Sequence, residues 1–425
     1  MRNIRTAALM MFAGMTAIAV TSCRDKDIFN KEVYKDITHG EYPVDTLDEN
    51  HTWSLLQTMR VKVTADVAGA DIATAQILNA NPYRSSAEIM AEKSIGQGQS
   101  AWMSFDMPIT QDVLYAALIT TAGQYYVKQF NTGEDEIIFS EGTVISKGTL
   151  TTLKQQTYTY LYEESFPEPT DFDYNDLVLR ISKKTPAANI LQLTVTLAAT
   201  GASKSMAAAI RLVGIKYEQV EEATIEEGSP LDYDYPLTRH KLKGNQLLVK
   251  GRSGEAVINL FEDAHWSLRH ETELMGNIGF LSYNTTHYET EGSAMHLPIQ
   301  TRTYNIKLKE GVDANFLNLS EFDPFVITQY NSVFFEIHTY KYKFDEVVWE
   351  YMGKDKRAYD DHLAWALLIP SSTFRYPVEE MPIGTYRNGE LFGAYGKYMH
   401  SFGQWGRDHN TNQDWWQNPT SALVY

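Results

Sequence analysis

Between Tyr162 and Val178 the chain reads YEESFPEPTDFDYNDLV, a short span dense in oxygen-bearing side chains. Asp171, Asp173 and Asn175 stand at every second position, Asp176 follows at once, and Glu163 and Glu164 lie just upstream. Carboxylate and amide oxygens with no His or Cys among them form the donor set of a hard cation, calcium first. Spacing limits how they could share one ion. In a flat strand, residues two apart share a face but stand about 7 Å from one another. One calcium holds its oxygens at roughly 2.3–2.6 Å. The stretch is therefore expected to curl as a loop before a strand that starts near Leu177, with Pro167 and Pro169 favouring the loop. A true EF-hand is excluded, because Asp176 holds the sixth position, where that loop needs Gly. The competing account is a polar turn whose carboxylates cap backbone N–H groups.

Other chemistry-bearing residues are sparser. Asp408, Asn410, Asn412 and Asp414 alternate before Trp415 and Trp416, and Asp232 and Asp234 do so in LDYDYPL; ordinary turns use the same residue types. Glu336 and His338 in VFFEIHTY share a strand face, as an acid/base pair or a buried Glu–His contact. Trp415 and Trp416, with Tyr425, either stack on sugar rings or close a core. No GxSxG, HExxH, Walker or GxGxxG pattern occurs. With 54 acidic residues, a glycosidase-type carboxylate pair stays open as an alternative.

The N-terminus reads as an address. Arg2 and Arg5 precede the apolar run Thr6–Ala19, too short for a permanent membrane span. Val20-Thr21-Ser22-Cys23 then resembles a bacterial lipobox, which implies cleavage after residue 22 and acylation of Cys23, the sole cysteine. With Cys23 given to the anchor, disulfides, zinc–thiolate sites and a thiolate nucleophile are excluded. The net charge of −17 argues against nucleic acid as a partner and leaves the lipid anchor as the expected contact with a membrane.

Residues 23–55 are polar, with little periodicity, and read as a tether. Alternation begins at Met59–Val67 and continues in Val113–Thr120, Tyr125–Phe130 and Ile137–Phe139, giving a first β-sandwich over 56–147. From 148 to 425 the pattern resumes in Leu177–Ile181, Leu191–Leu197, Thr303–Leu308 and Val333–Tyr340. Near the end, Leu391, Tyr395, Tyr398, Phe402 and Trp405 recur at spacings of four and three, the stripe of a helix.

Several separated segments agree with one family pattern. Glu163-Glu164 with Asp171–Val178, then Asn259–His265, Asp323-Pro324-Phe325, Glu336-Ile337-His338, Leu363–Pro370, Tyr376-Pro377 and Asp414-Trp415-Trp416 follow in order from about residue 150. Together they resemble the LruC-domain family, with Glu164, Asp323 and Ala364 departing from its usual residues. The resemblance implies an exported β-domain of Bacteroidota-type lipoproteins and supplies no biochemical activity.

The expectation is an all-β chain of two jelly-roll-like β-sandwich domains, with a short helix near the C-terminus of the second. Glu163, Glu164, Asp171, Asp173, Asn175 and Asp176 are its candidate Ca2+ ligands. The expected role is a lipid-anchored binding or adhesion module at the outer membrane or cell surface, non-catalytic, with glycans or matrix components as candidate partners. A glycan-active hydrolase and a structural envelope component are the alternatives.

Overall fold

The computed structural model describes residues 40–150, 152–166, 170–201, 204–226, 247–268, 282–287, 294–330, 333–343 and 362–425. Cys23, the lipobox, Asp232, Asp234, Pro167 and Pro169 lie outside the described residues.

The architecture is all-β. Nine strands build a first body: β1 (Leu56–Ala65), β2 (Ile72–Leu78), β3 (Glu88–Ser94), β4 (Ser100–Pro108), β5 (Val113–Thr120), β6 (Gln124–Asn131), β7 (Glu136–Phe139), β8 (Ser146–Thr149) and β9 (Lys154–Gln155). They form a sheet in the order β4-β1-β7 and another in the order β8-β6-β5-β2-β3-β9. Alternation explains the arrangement: Val61, Val63 and Ala65 point from β1 into a core with Ile77, Phe105, Leu118 and Phe130, while Arg60, Lys62 and Thr64 stay outside it.

The second body is larger. One sheet holds β10 (Thr157–Tyr162), β11 (Leu177–Ala187), β12 (Ile190–Ala199), β14 (Val220–Ile225), β19 (Gln300–Leu308) and β22 (Ala366–Ile369), in the order β14-β19-β12-β11-β10-β22. The other runs β15-β16-β13-β20-β21, from β13 (Ala207–Lys216), β15 (Leu248–Lys250), β16 (Glu255–Phe261), β20 (Phe322–Tyr330) and β21 (Val333–Ile337). Leu191, Leu193, Val195 and Leu197 alternate inward from β12 to meet Leu212, Ile258 and Val326 of the facing sheet. Two short pairs complete the strands: β17 (Ser282–Tyr283) with β18 (Ala294–Met295), and β23 (Thr385–Arg387) with β24 (Glu390–Phe392). Helices are minor, with α1 at Ala264–Leu268 and α2 at Phe402–Arg407.

Tyr42, Val44, Trp53 and Leu55, from the polar N-terminal stretch, are buried in the core of the second body. Asp106 links the bodies: its Oδ2 accepts Ser320 N–H at 2.8 Å, and its carbonyl accepts Tyr158 O–H at 3.1 Å.

The aromatic stripe is not one helix. Leu391 belongs to β24, Tyr398 is 54% exposed, and helix is confined to α2. Gly393 breaks the run at φ 104°, a conformation closed to L side chains. Tyr395, Phe402 and Trp405 are nevertheless buried in the same core.

Candidate metal centre

The acidic stretch is the connection between β10 and β11, and the pairing Tyr162↔Leu177 closes its base. β11 starts at Leu177, and the preceding residues curl. Phe172 and Tyr174 both take left-handed backbone, at φ 53° and 56°. Such a conformation costs an L residue roughly 1–2 kcal/mol, so the surroundings must hold it. They do so through the rings. Phe172 meets Tyr42 at 5.0 Å and Trp365 at 5.8 Å between centroids. The Tyr174 hydroxyl donates to Ala364 O at 2.6 Å. The aromatics anchor in the core, and the alternate polar residues are left to converge.

Glu163, Asp171 and Asp173 do converge. Each offers a carboxylate oxygen, and the three oxygens lie within 4.8 Å of one another. Ligands on opposite sides of one calcium stand about that far apart, twice a Ca–O distance of roughly 2.4 Å. Glu163 and Asp173 are buried, and Asp171 is exposed. Glu163 Oε1 accepts the backbone N–H of Tyr174, and the Thr170 hydroxyl favours the ionised carboxyl, but the buried Oε2 has no hydrogen-bond partner among the described residues. A buried, unpartnered carboxylate oxygen is costly. A divalent cation beside it would remove that cost.

The other proposed ligands have different work. Asp176 Oδ2 accepts Glu164 N–H at 2.6 Å, and Glu164 Oε2 accepts Lys204 N–H at 2.9 Å. Both side chains therefore act as backbone acceptors. Asn175 donates from Nδ2 to Asp173 Oδ2 at 2.8 Å and to Pro377 O at 3.1 Å, while its buried Oδ1 has no partner among the described residues. Gly201 makes room for it: a Cβ there would sit 2.2 Å from Asn175 Oδ1.

Burial, and then the charge of Asp171, push the Glu163 carboxyl well above the usual carboxylate range. Asp173 is raised by burial and by Asp171 and Glu163, and Asp176 by burial and by Glu163 and Glu164. Burial and mutual repulsion thus disfavour the ionised forms of Glu163, Asp173 and Asp176, and a cation among their oxygens would favour them.

Sequence spacing did not point to Glu379. Its Oε2 is buried with no partner among the described residues, and its charge adds to the raised pKa of Asp173. It lies more than 200 residues away, just past Tyr376-Pro377, so only the fold brings it near.

The remaining candidates divide. Asp408 and His409 meet Asp48, whose Oδ2 takes hydrogen bonds from His409 Nδ1 and backbone N–H. The His409 side chain holds the Asp48 carboxyl well below its ordinary value. Asp414 turns instead to His400 Nδ1 at 2.8 Å, and Asn412 to Gln404. Glu336 and His338 are brought together at 3.5 Å, and His338 Nδ1 lies 2.9 Å from Asp323 Oδ2. Arg211, unnoticed in the sequence, binds the same Asp323 oxygen at 2.8 Å and Glu255 at 3.3 Å. Trp415 is buried against Phe402 and Tyr395, Trp416 packs half-buried on the core, and Tyr425 stacks on Tyr376.

Fold and loop define an all-β, sandwich-built protein with an acid-lined loop at one sheet end. The chain belongs to the family described as Domain of unknown function (DUF4842), whose profile matches residues 189–416. The fold is similar to a crystal structure described as that of a candidate lipoprotein from Bacteroides ovatus. That similarity has a TM-score of 0.52 and 15% identity, covering 83% of this chain and 99% of the other. No curated protein matches the sequence.

Proposed function

We propose that the chain is an exported, lipid-anchored binding or adhesion module whose β10–β11 loop is clamped by calcium. The observation that carries the clamp is the buried Glu163 Oε2, without a hydrogen-bond partner among the described residues, within a three-carboxylate cluster. Glu163, Asp171 and Asp173 would hold the ion, which supplies charge compensation and fixes the loop. Glu164 and Asp176 support it by fixing the backbone on either side. Anchoring at Cys23 rests on the lipobox, and the lipoprotein description of the Bacteroides ovatus structure agrees with it. The LruC-type reading of residues 148–425 and display at the outer membrane or cell surface belong to the same proposal. A non-catalytic role is favoured by where the acids go: Asp173, Asp176, Glu163 and Glu164 all accept backbone N–H groups.

The test is a binding screen of the full chain in detergent against glycans and matrix proteins, with calcium and with EDTA. Calcium-dependent capture of either class supports the reading, and turnover of a glycan in its place overturns it.

A further inference from the structure

We propose that a groove over α2 is a saccharide site that takes the pyranose ring of a glycan. This rests on the binding-module reading above and names where that module would bind. The groove holds about 460 Å³ and lies between β23, α2 and the turn that follows. Its frame is fixed from below. Phe402 and Trp405 are buried in the core, and Ser401 Oγ caps α2 by accepting Gln404 N–H at 3.2 Å. Asp408 N–H returns to Gln404 O at 3.2 Å, and Trp415 N–H to Asn412 O at 3.0 Å.

Apart from Thr411, whose hydroxyl donates to Asp408 O at 3.1 Å, the polar groups lining it are planar, and each is held by a second partner. Asn412 Nδ2 donates to Gln404 Oε1 at 2.9 Å. That bond leaves the Gln404 amide donors and the Asn412 Oδ1 acceptor without a partner among the described residues. His400 is held through Nδ1 by Asp414 at 2.8 Å, which leaves its Nε2 for a ligand. The Arg407 guanidinium lies 4.2 Å from the Tyr386 ring centroid, with Asp45 3.9 Å from its Nε. Met399 adds an apolar surface, 80% exposed.

This set selects a class of ligand. Neighbouring donors and acceptors on planar groups suit vicinal hydroxyls, each of which both donates and accepts. An exposed thioether side chain suits the C–H face of a sugar ring. Arg407 is offset by Asp45, so the groove holds no uncompensated cation that would select a phosphate or polyanion. Side chains already fixed by second partners lose little entropy on binding.

The probe is an array of immobilised neutral-hexose, N-acetylhexosamine and uronic-acid oligosaccharides, read with the labelled full chain in detergent. The expected result is capture by one class, weakened up to about tenfold by Gln404→Ala and by His400→Ala (roughly one lost hydrogen bond each), with both variants still folded at the assay temperature by their unfolding midpoints. A uronic-acid preference lost in Arg407→Gln would contradict the charge-balanced groove and overturn the site as described. A neutral preference assigns binding to the amides and His400. Capture that persists in both alanine variants overturns the groove and leaves the binding-module reading standing. No capture by any saccharide overturns the site. If immobilised collagen and fibronectin also fail to bind the same chain, the module reading falls with it.

Discussion

Asp173 Oδ2 accepts the backbone N–H of Glu380 at 2.9 Å, joining two residues 207 positions apart. The same carboxylate takes Asn175 N–H and Asn175 Nδ2, while Ile383 N–H reaches Phe172 O at 2.8 Å. The acid-lined loop is therefore one point where the C-terminal segment is fastened to the sheet, and an ion there would tighten both.

Asp173→Asn tests that fastening. The substitution keeps the shape but turns one acceptor into a donor facing Asn175 Nδ2 or Glu380 N–H. Leaving buried donors unmade costs about 1–3 kcal/mol each. In calcium the unfolding midpoint is expected to fall by several degrees. In EDTA the fall is expected to be smaller, because the substitution also removes a charge that repels Glu163. Equal losses in both buffers would separate Asp173 from the ion.

Gly201→Ala probes the same place from outside. Its Cβ would press on Asn175 Oδ1 at 2.2 Å and on Asn175 O at 3.2 Å. The cost is expected to be about 1–3 kcal/mol, as for overpacking, with a weaker response to calcium. Chemical denaturation with and without the ion measures both.

Stability should fall at alkaline pH through His338. Burial alone would lower its pKa, but Asp323 and Glu336 outweigh burial and raise it to about 9. Arg211 and Glu255 extend this cluster, Tyr342 lies against Arg211, and Phe325 stacks on the His338 ring. The folded value exceeds the ordinary 6.5, so the contribution is full below pH 6.5 and disappears as pH rises through 9. It amounts to roughly 3 kcal/mol at 1.36 kcal/mol per unit. His51 acts oppositely: burial lowers it to about 4, so its contribution is lost as pH falls from 6.5. A stability–pH profile of His338→Gln should lack the alkaline fall.

Cys23→Ala should move the protein from the membrane fraction to the soluble fraction, since a lipid chain is the proposed anchor. Continued membrane fractionation of the variant would defeat it.

Much of the fold is legible in strand alternation. Val113–Thr120 coincides with β5, and the predicted start at Leu177 is the first residue of β11. The curl was legible only as the condition under which Asp171 and Asp173 could share an ion, since a flat strand sets them about 7 Å apart. Its means were not: nothing local marks Phe172 and Tyr174 for left-handed backbone, which depends on Tyr42, Trp365 and Ala364 far along the chain. The helical stripe misled for a related reason. Tyr395, Phe402 and Trp405 are apolar because they enter the core from a turn and a short helix, not from one continuous face. Arg211 became visible only when strand pairing set it opposite Asp323.

Calcium titration of the EDTA-treated full chain, followed by thermal unfolding, addresses the clamp most directly. At about 100 times the dissociation constant, calcium should add roughly 2.7 kcal/mol if it binds only the folded state. Because the folded carboxyls of Glu163 and Asp173 are raised, the EDTA-treated chain should lose stability as pH rises above the ordinary carboxylate range, and calcium should oppose that loss. Asp171→Asn/Asp173→Asn should abolish the calcium response. A midpoint indifferent to calcium and EDTA, or an equal response in the double variant, would contradict the clamp.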